Sequence, residues 1–110
     1  MEEAVLLRIF VGESDKYEGK PLYKYLVEFL RREGIAGATV IRGIYGFGKT
    51  SIIRAPSILR LSVDLPVVIE VVDSKENIER IKPKILEIVK EGLITEERVK
   101  VVMYRGKESP

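Results

Sequence analysis

Hydrophobic positions follow two different periods along this chain, and the switches between them outline its elements. Ala4 to Val11 is mostly apolar and rich in Val, Ile and Phe, and Gly12 breaks the run, which predicts a strand. Gly12 to Gly19 is polar and predicts a loop. From Leu22 the apolar positions Leu22, Leu26, Phe29 and Leu30 fall on one helical face. Pro21 stands where a first helical turn tolerates it, and Gly34 suits a left-handed end. Tyr17, Tyr23 and Tyr25 read as packing at the edge of that helix. Ala38 to Tyr45 predicts a second strand, and Val67 to Val72, opened by Pro66, a third that is apolar apart from Glu70. Asp73 or Ser74 then caps a second helix with Ile78, Ile81, Ile85 and Ile88 on one face. Pro83 lies inside this pattern and predicts a kink. Gly92 is read as the helix end, followed by a short acidic loop, a fourth strand from Val99 to Tyr104 and a frayed polar tail over 105–110.

The order βαββαβ in 110 residues predicts one α+β domain over 1–110 with a ferredoxin-like fold. Such a fold has a four-stranded antiparallel sheet with both helices on one face. The first and third predicted strands are apolar on both sides, whereas a solvated face would alternate with polar residues. The second face therefore needs a cover, and another copy of the chain is the simplest one. The segment 46–65 has no clean period and carries Pro56. So long an excursion in a small domain points to function rather than mere connection.

Composition narrows the chemistry. With no cysteine and no histidine, zinc ribbons, iron–sulfur clusters, thiol redox and His-dependent nucleophilic catalysis are excluded. Lys and Arg total 19 against 17 Asp and Glu, a mixed surface unlike that of a nucleic-acid binder. The acidic start is unlike a signal peptide, and no apolar run approaches the ~18 residues of a membrane span. The expectation is a cytoplasmic protein with no insertion into membrane.

Gly43 to Thr50 matches the phosphate-loop string G-x-x-x-x-G-K-[ST] letter for letter. Its chemistry would use backbone N–H groups and Lys49 on phosphates and Thr50 on a metal. Context opposes a nucleotide hydrolase of that kind: the motif requires a helix from Lys49, and Pro56 falls within it. Arg42 to Phe47 has the look of the aromatic strand of RNA-recognition domains, but the third strand has no aromatic, so packing is the better reading of Tyr45 and Phe47. Glu13, Asp15 and Glu18 are of a type that binds divalent cations, though acidic loops are more often just solvated. Glu70, a lone carboxylate in an apolar strand, must pair with a cation or face a cleft.

Several separate motifs in order carry a resemblance. Gly-Glu-Ser-Asp after the first strand, Gly34-Ile-Ala-Gly-Ala-Thr-Val40, Gly46-Phe-Gly48, Leu-Arg-Leu-Ser-Val-Asp-Leu-Pro-Val-Val-Ile-Glu ending at Glu70, and Glu91-Gly-Leu-Ile94 resemble the PII signal-transduction proteins. They are closer still to the PII-like proteins of domain-of-unknown-function family 190. The resemblance spans residues 4–104 and implies a homotrimer with sheets lining a central barrel and adenine nucleotides in the clefts between subunits. It implies that Gly46, Phe47 and Gly48 wrap the phosphates, with Lys49 and Thr50 next in line and Arg42 and Gly43 just before. Thr39, Glu70 and Val72 then border the ligand, and Gly92 and Arg98 come from the neighbouring subunit. Magnesium would accompany ATP alone; no catalytic residue and no protein-held metal is implied. The paired C-terminal arginines that grip outer phosphates in PII proteins have no clear equivalents, which favours AMP or ADP over ATP. Tyrosine is absent from 49–65, so tyrosine nucleotidylylation has no acceptor there. The expected role is regulatory, with the long loop contacting a target such as a transporter or an enzyme. The alternatives are a hydrolase using Gly43–Thr50 and a trimeric divalent-cation-binding protein of the same fold.

Overall fold

The computed structural model describes residues 3–48, 53–55 and 64–106. Strand β1 (Glu3–Gly12) is followed by a two-residue ladder, β2 (Lys16–Tyr17) with β3 (Lys20–Pro21), and by helix α1 (Leu22–Arg32). Strands β4 (Ala38–Arg42) and β5 (Pro66–Asp73), helix α2 (Lys75–Ile88) and strand β6 (Leu93–Lys100) complete the order. The large sheet is antiparallel with strand order β4-β5-β1-β6. This is the ferredoxin-like arrangement predicted from the sequence.

One face of the sheet builds the core. Val5, Leu7, Ile9 and Val11 of β1 and Val67, Ile69 and Val71 of β5 alternate inward. They meet Leu22, Leu26, Phe29 and Leu30 of α1 and all four isoleucines of the α2 face, so both helices cover the same side. Tyr17, Tyr23 and Tyr25 pack at its margin, with the Tyr17 and Tyr25 rings 4.5 Å apart.

The opposite face has no helix. By alternation and register it carries Ile41, Val68, Val72, Leu6, Phe10 and Leu93. Arg8 lies in its middle and donates to Glu70 at 2.8 Å and Glu97 at 2.7 Å on the two flanking strands. The pairing that Glu70 requires is therefore an ion pair across β1 and β5, and both glutamates push the Arg8 guanidinium pKa up.

Several boundaries differ from the sequence expectation. The second strand stops at Arg42 and not Tyr45: the Gly43 amide still donates to the carbonyl of Pro66, which stands opposite it, at 2.7 Å, but Pro66 has no N–H to return the bond. Helix α2 runs through Pro83 and ends at Ile88, capped by the Val89 amide on the Ile85 carbonyl, so Gly92 is not its terminus. The last strand occupies Leu93–Lys100, where Ile-Thr-Glu-Glu-Arg had read as a loop. An edge strand pairs through its backbone, and charged side chains on it suit solvent and discourage further pairing. The expected strand residues Val102, Met103 and Tyr104 lie beyond it and are exposed, the Tyr104 hydroxyl donating to the Ala36 carbonyl at 2.8 Å. The polar stretch 12–19 contains β2, whose turn to β3 places Glu18 and Gly19 at φ 49° and 79°. Successive positive φ values fit a tight hairpin turn. Residues 107–110 of the tail lie outside the described residues.

At the other end, Asp73 joins three elements. Its buried carboxylate accepts from the Ala36 amide at 2.8 Å, the Ser74 amide at 2.6 Å and the Asn77 side chain at 3.0 Å. Ser74 caps α2 by accepting from the Asn77 amide at 3.2 Å. Gly34 takes φ 75° just after α1, as the sequence predicts, and Arg80 of α2 donates to the Glu33 carbonyl that ends α1.

Candidate functional site

The long excursion leaves the sheet at the end of β4 and re-enters it at Pro66. Its base is closed on itself by a β-bridge: the Arg54 amide donates to the Gly46 carbonyl at 2.8 Å, and the Gly46 amide to the Arg54 carbonyl at 3.1 Å. No helix therefore passes through Arg54, whereas the phosphate-loop string needs one starting at Lys49. Lys49 and Thr50 themselves, and residues 56–63, lie outside the described residues.

The Arg54 side chain is engaged from several directions. One terminal nitrogen donates to both Asp64 oxygens at 2.7 Å, and the other to Asp15 at 3.4 Å. The guanidinium lies directly over Gly12, where an added Cβ would stand 2.0 Å from Nη1. Asp15 also accepts from the Gly12 amide at 2.8 Å, and the Ser14 amide donates to Asp64 at 3.1 Å. Burial works against the Asp64 charge, but the bonds from Ser14 and Arg54 outweigh it and hold the carboxyl below its ordinary value. Beside this lattice Arg42 pairs with Glu13. Glu13 is mostly buried, and its other oxygen has no hydrogen-bond partner among the described residues. The carboxylates of Glu13 and Asp15, read as potential cation ligands, are taken up by arginines.

Next to this base the Gly46–Phe47–Gly48 bend is open. Phe47 is 73% exposed, and its amide and that of Gly48 have no backbone partner among the described residues. Amides in a glycine-rich bend are suited to oxyanions. Thr39 stands opposite Glu70 in the β4–β5 register, and Val72 shares the helix-free face with Glu70. Thr39, Glu70, Arg42, Gly43 and the bend thus follow one another along the β4 side of the sheet, with Val72 farther along β5, about 20 Å from Pro66.

Gly92 and Arg98 lie elsewhere. Gly92 precedes β6, against Phe10, at the same end of the sheet as the bend but on the opposite edge. Three strand spacings, about 14 Å, separate β4 from β6. Arg98 faces Val5 across the β1–β6 register, about 17 Å along the strand from Leu93. One copy of the chain does not bring these two residues to the bend.

Sequence reasoning missed Arg54 and Asp64. Arg54 sits in a stretch without periodicity, and Asp64 stood inside a motif with no assigned partner. The available signal was two aspartates outside any periodic run, Asp15 in Gly-Glu-Ser-Asp after the first strand and Asp64 near the end of the excursion.

Comparison with known proteins places this arrangement. The sequence profile of family DUF190, described as an uncharacterised ACR, matches residues 4–101. A UPF0166 protein of Methanocaldococcus jannaschii is 50% identical over 95 residues, covering 86% of this chain and 87% of that protein. A UPF0166 protein of Aquifex aeolicus is 48% identical over 100 residues, covering 88% and 91%. Among solved structures, CPII, a nitrogen regulatory PII-like protein from Thiomonas intermedia K12 bound to ADP, AMP and bicarbonate, is similar with a TM-score of 0.62 at 17% identity. The alignment covers 90% of this chain and 88% of CPII. A second CPII structure, bound to ADP and bicarbonate, gives a TM-score of 0.60 at 16% identity.

Proposed function

The chain belongs to the DUF190 family, and from that premise and its PII-like fold we propose that it is a regulatory protein that binds adenine nucleotides and performs no chemistry of its own. The observation that carries this reading is the exposed Gly46–Phe47–Gly48 bend, anchored at its base and presenting at the sheet edge two amides that have no backbone partner among the described residues. Those amides meet phosphate oxygens, while Thr39 and Val72 border the base and sugar. The CPII structures support the choice of ligand, since that protein holds ADP and AMP on the same fold.

The site is completed by a second copy. Gly92 and Arg98 belong to the opposite edge from the bend, so a cleft containing all of these residues forms where the β6 side of one subunit meets the β4 side of another. Repetition of that contact around a threefold axis gives a homotrimer, and it buries the helix-free face with Leu6, Phe10, Val68 and Val72. The excursion that begins at the bend then contacts a target protein, a membrane transporter or an enzyme.

Two terms set nucleotide preference. Arg42 is held by Glu13 and Arg54 by Asp64, so neither is a spare cation for a third phosphate. The AMP and ADP complexes are therefore expected to be tighter than the ATP complex. Isothermal titration with AMP, ADP and ATP, the last with magnesium, checks this; ATP binding more tightly than AMP would refute it.

A further inference from the structure

We propose that Arg54 is a positioning residue for phosphate recognition: it fixes the Gly46–Phe47–Gly48 bend without touching the ligand. This inference rests on the nucleotide-binding reading of the bend and deepens it. The bend lies just past the end of an edge strand. Among the described residues its backbone is tied down at only two places, the Gly43 amide on Pro66 and the reciprocal Gly46–Arg54 bridge. The bridge is only as firm as Arg54 itself. Arg54 is firm because its guanidinium is clamped by both oxygens of Asp64 and by Asp15, and because glycine at position 12 leaves room for it. The two terminal nitrogens are held by different carboxylates, Nη1 by Asp64 and Nη2 by Asp15, and this fixes the direction of the planar guanidinium as well as its distance. The chain of contacts thus runs from the turn after β1, through the arginine side chain, into its backbone and on to the Gly46 amide and carbonyl.

This connection has a particular consequence for binding. Backbone amides bind oxyanions well only when they are already aimed, since ordering a floppy bend is charged against affinity. Of the residues assigned to the base and sugar, Thr39 is held by the β4–β5 ladder and Val72 by the β1–β5 ladder, and neither depends on Arg54. Loss of the guanidinium should therefore weaken the phosphate part of binding and leave the nucleoside part alone. The neutral partner loss should act the same way, because Asp64→Asn removes the charge that holds the arginine.

The test compares ADP with adenosine by titration calorimetry in the full chain and in Arg54→Ala, Arg54→Lys and Asp64→Asn. The expected result is a loss on the order of tenfold in ADP affinity in Arg54→Ala and Asp64→Asn, with adenosine affinity unchanged. Arg54→Lys, which keeps a charge but not the fork, falls between these and the parent. In ligand-free protein the Gly46 amide exchanges with solvent deuterium faster in Arg54→Ala. Unchanged ADP affinity, or an unchanged Gly46 exchange rate, would overturn the proposal and leave the nucleotide reading intact. A parallel fall in ADP and adenosine affinity would overturn it too, by reducing Arg54 to a general support of the fold. A parent protein that binds no ADP at all would remove the nucleotide reading, and the positioning role with it.

Discussion

Replacing Gly92 with alanine should destabilise the protein by about 3 kcal/mol or more, a large share of a small domain's stability. The residue has φ 150°, a backbone conformation that side chains rarely adopt. A methyl group there would also stand 2.4 Å from the Phe10 carbonyl oxygen and 3.3 Å from Val11 Cγ1. The first of these atoms belongs to the central strand of the sheet, so it cannot swing aside as a surface side chain would. Relief requires β6 to draw away from β1, at the point where Phe10 pairs with Leu93 and the strand begins. Urea unfolding followed by circular dichroism measures the effect. An alanine variant within about 1 kcal/mol of the parent would mean that the β1–β6 junction yields easily, contrary to this geometry.

Asp73→Ala should cost a similar amount, about 3 kcal/mol, for a different reason. Its carboxylate satisfies the Ala36 amide, the Ser74 amide and the Asn77 side chain, and truncation strands those donors in a region shielded from water. The same carboxylate makes stability depend on acid. Burial favours its neutral form, but the bonds from Asn77, Ala36 and Ser74 more than offset this and lower its pKa. A carboxyl whose folded-state pKa lies below its unfolded value contributes stability above the unfolded value, near pH 4. The contribution is lost as pH falls from there through the folded value. The parent should thus lose stability below about pH 4 more steeply than Asp73→Asn. Identical slopes for the two proteins would contradict the assignment.

The fold was legible because its core obeys simple periods. The isoleucines from Ile78 to Ile88 and the alternating residues of β1 and β5 are where helix and strand patterns require them. Strand β6 was displaced because an edge strand needs only backbone pairing, and Thr95, Glu96, Glu97 and Arg98 carry no apolar rhythm. Gly92 looked like a helix end because glycine there is demanded by close packing against Phe10, a long-range contact invisible to local pattern. The same limit applies at the site. The Gly-Phe-Gly bend stood out by composition, whereas Arg54 acts through Asp64, Asp15 and Gly12, partners brought together only by the sheet.

Exposed nonpolar side chains sharpen the question of assembly. Ile41, Phe47 and Leu93 are 46%, 73% and 56% exposed in the single chain, and they lie on or beside the two sheet edges that the proposed contact joins. Burial of such side chains is a main source of association energy.

The most direct measurement is sedimentation velocity of the purified chain with a fluorescent adenine nucleotide, followed at the absorbance of both. The account predicts that nucleotide travels only with a three-chain species, at one nucleotide per chain when saturated. Nucleotide travelling with a single chain, or a single chain that carries none, would contradict it.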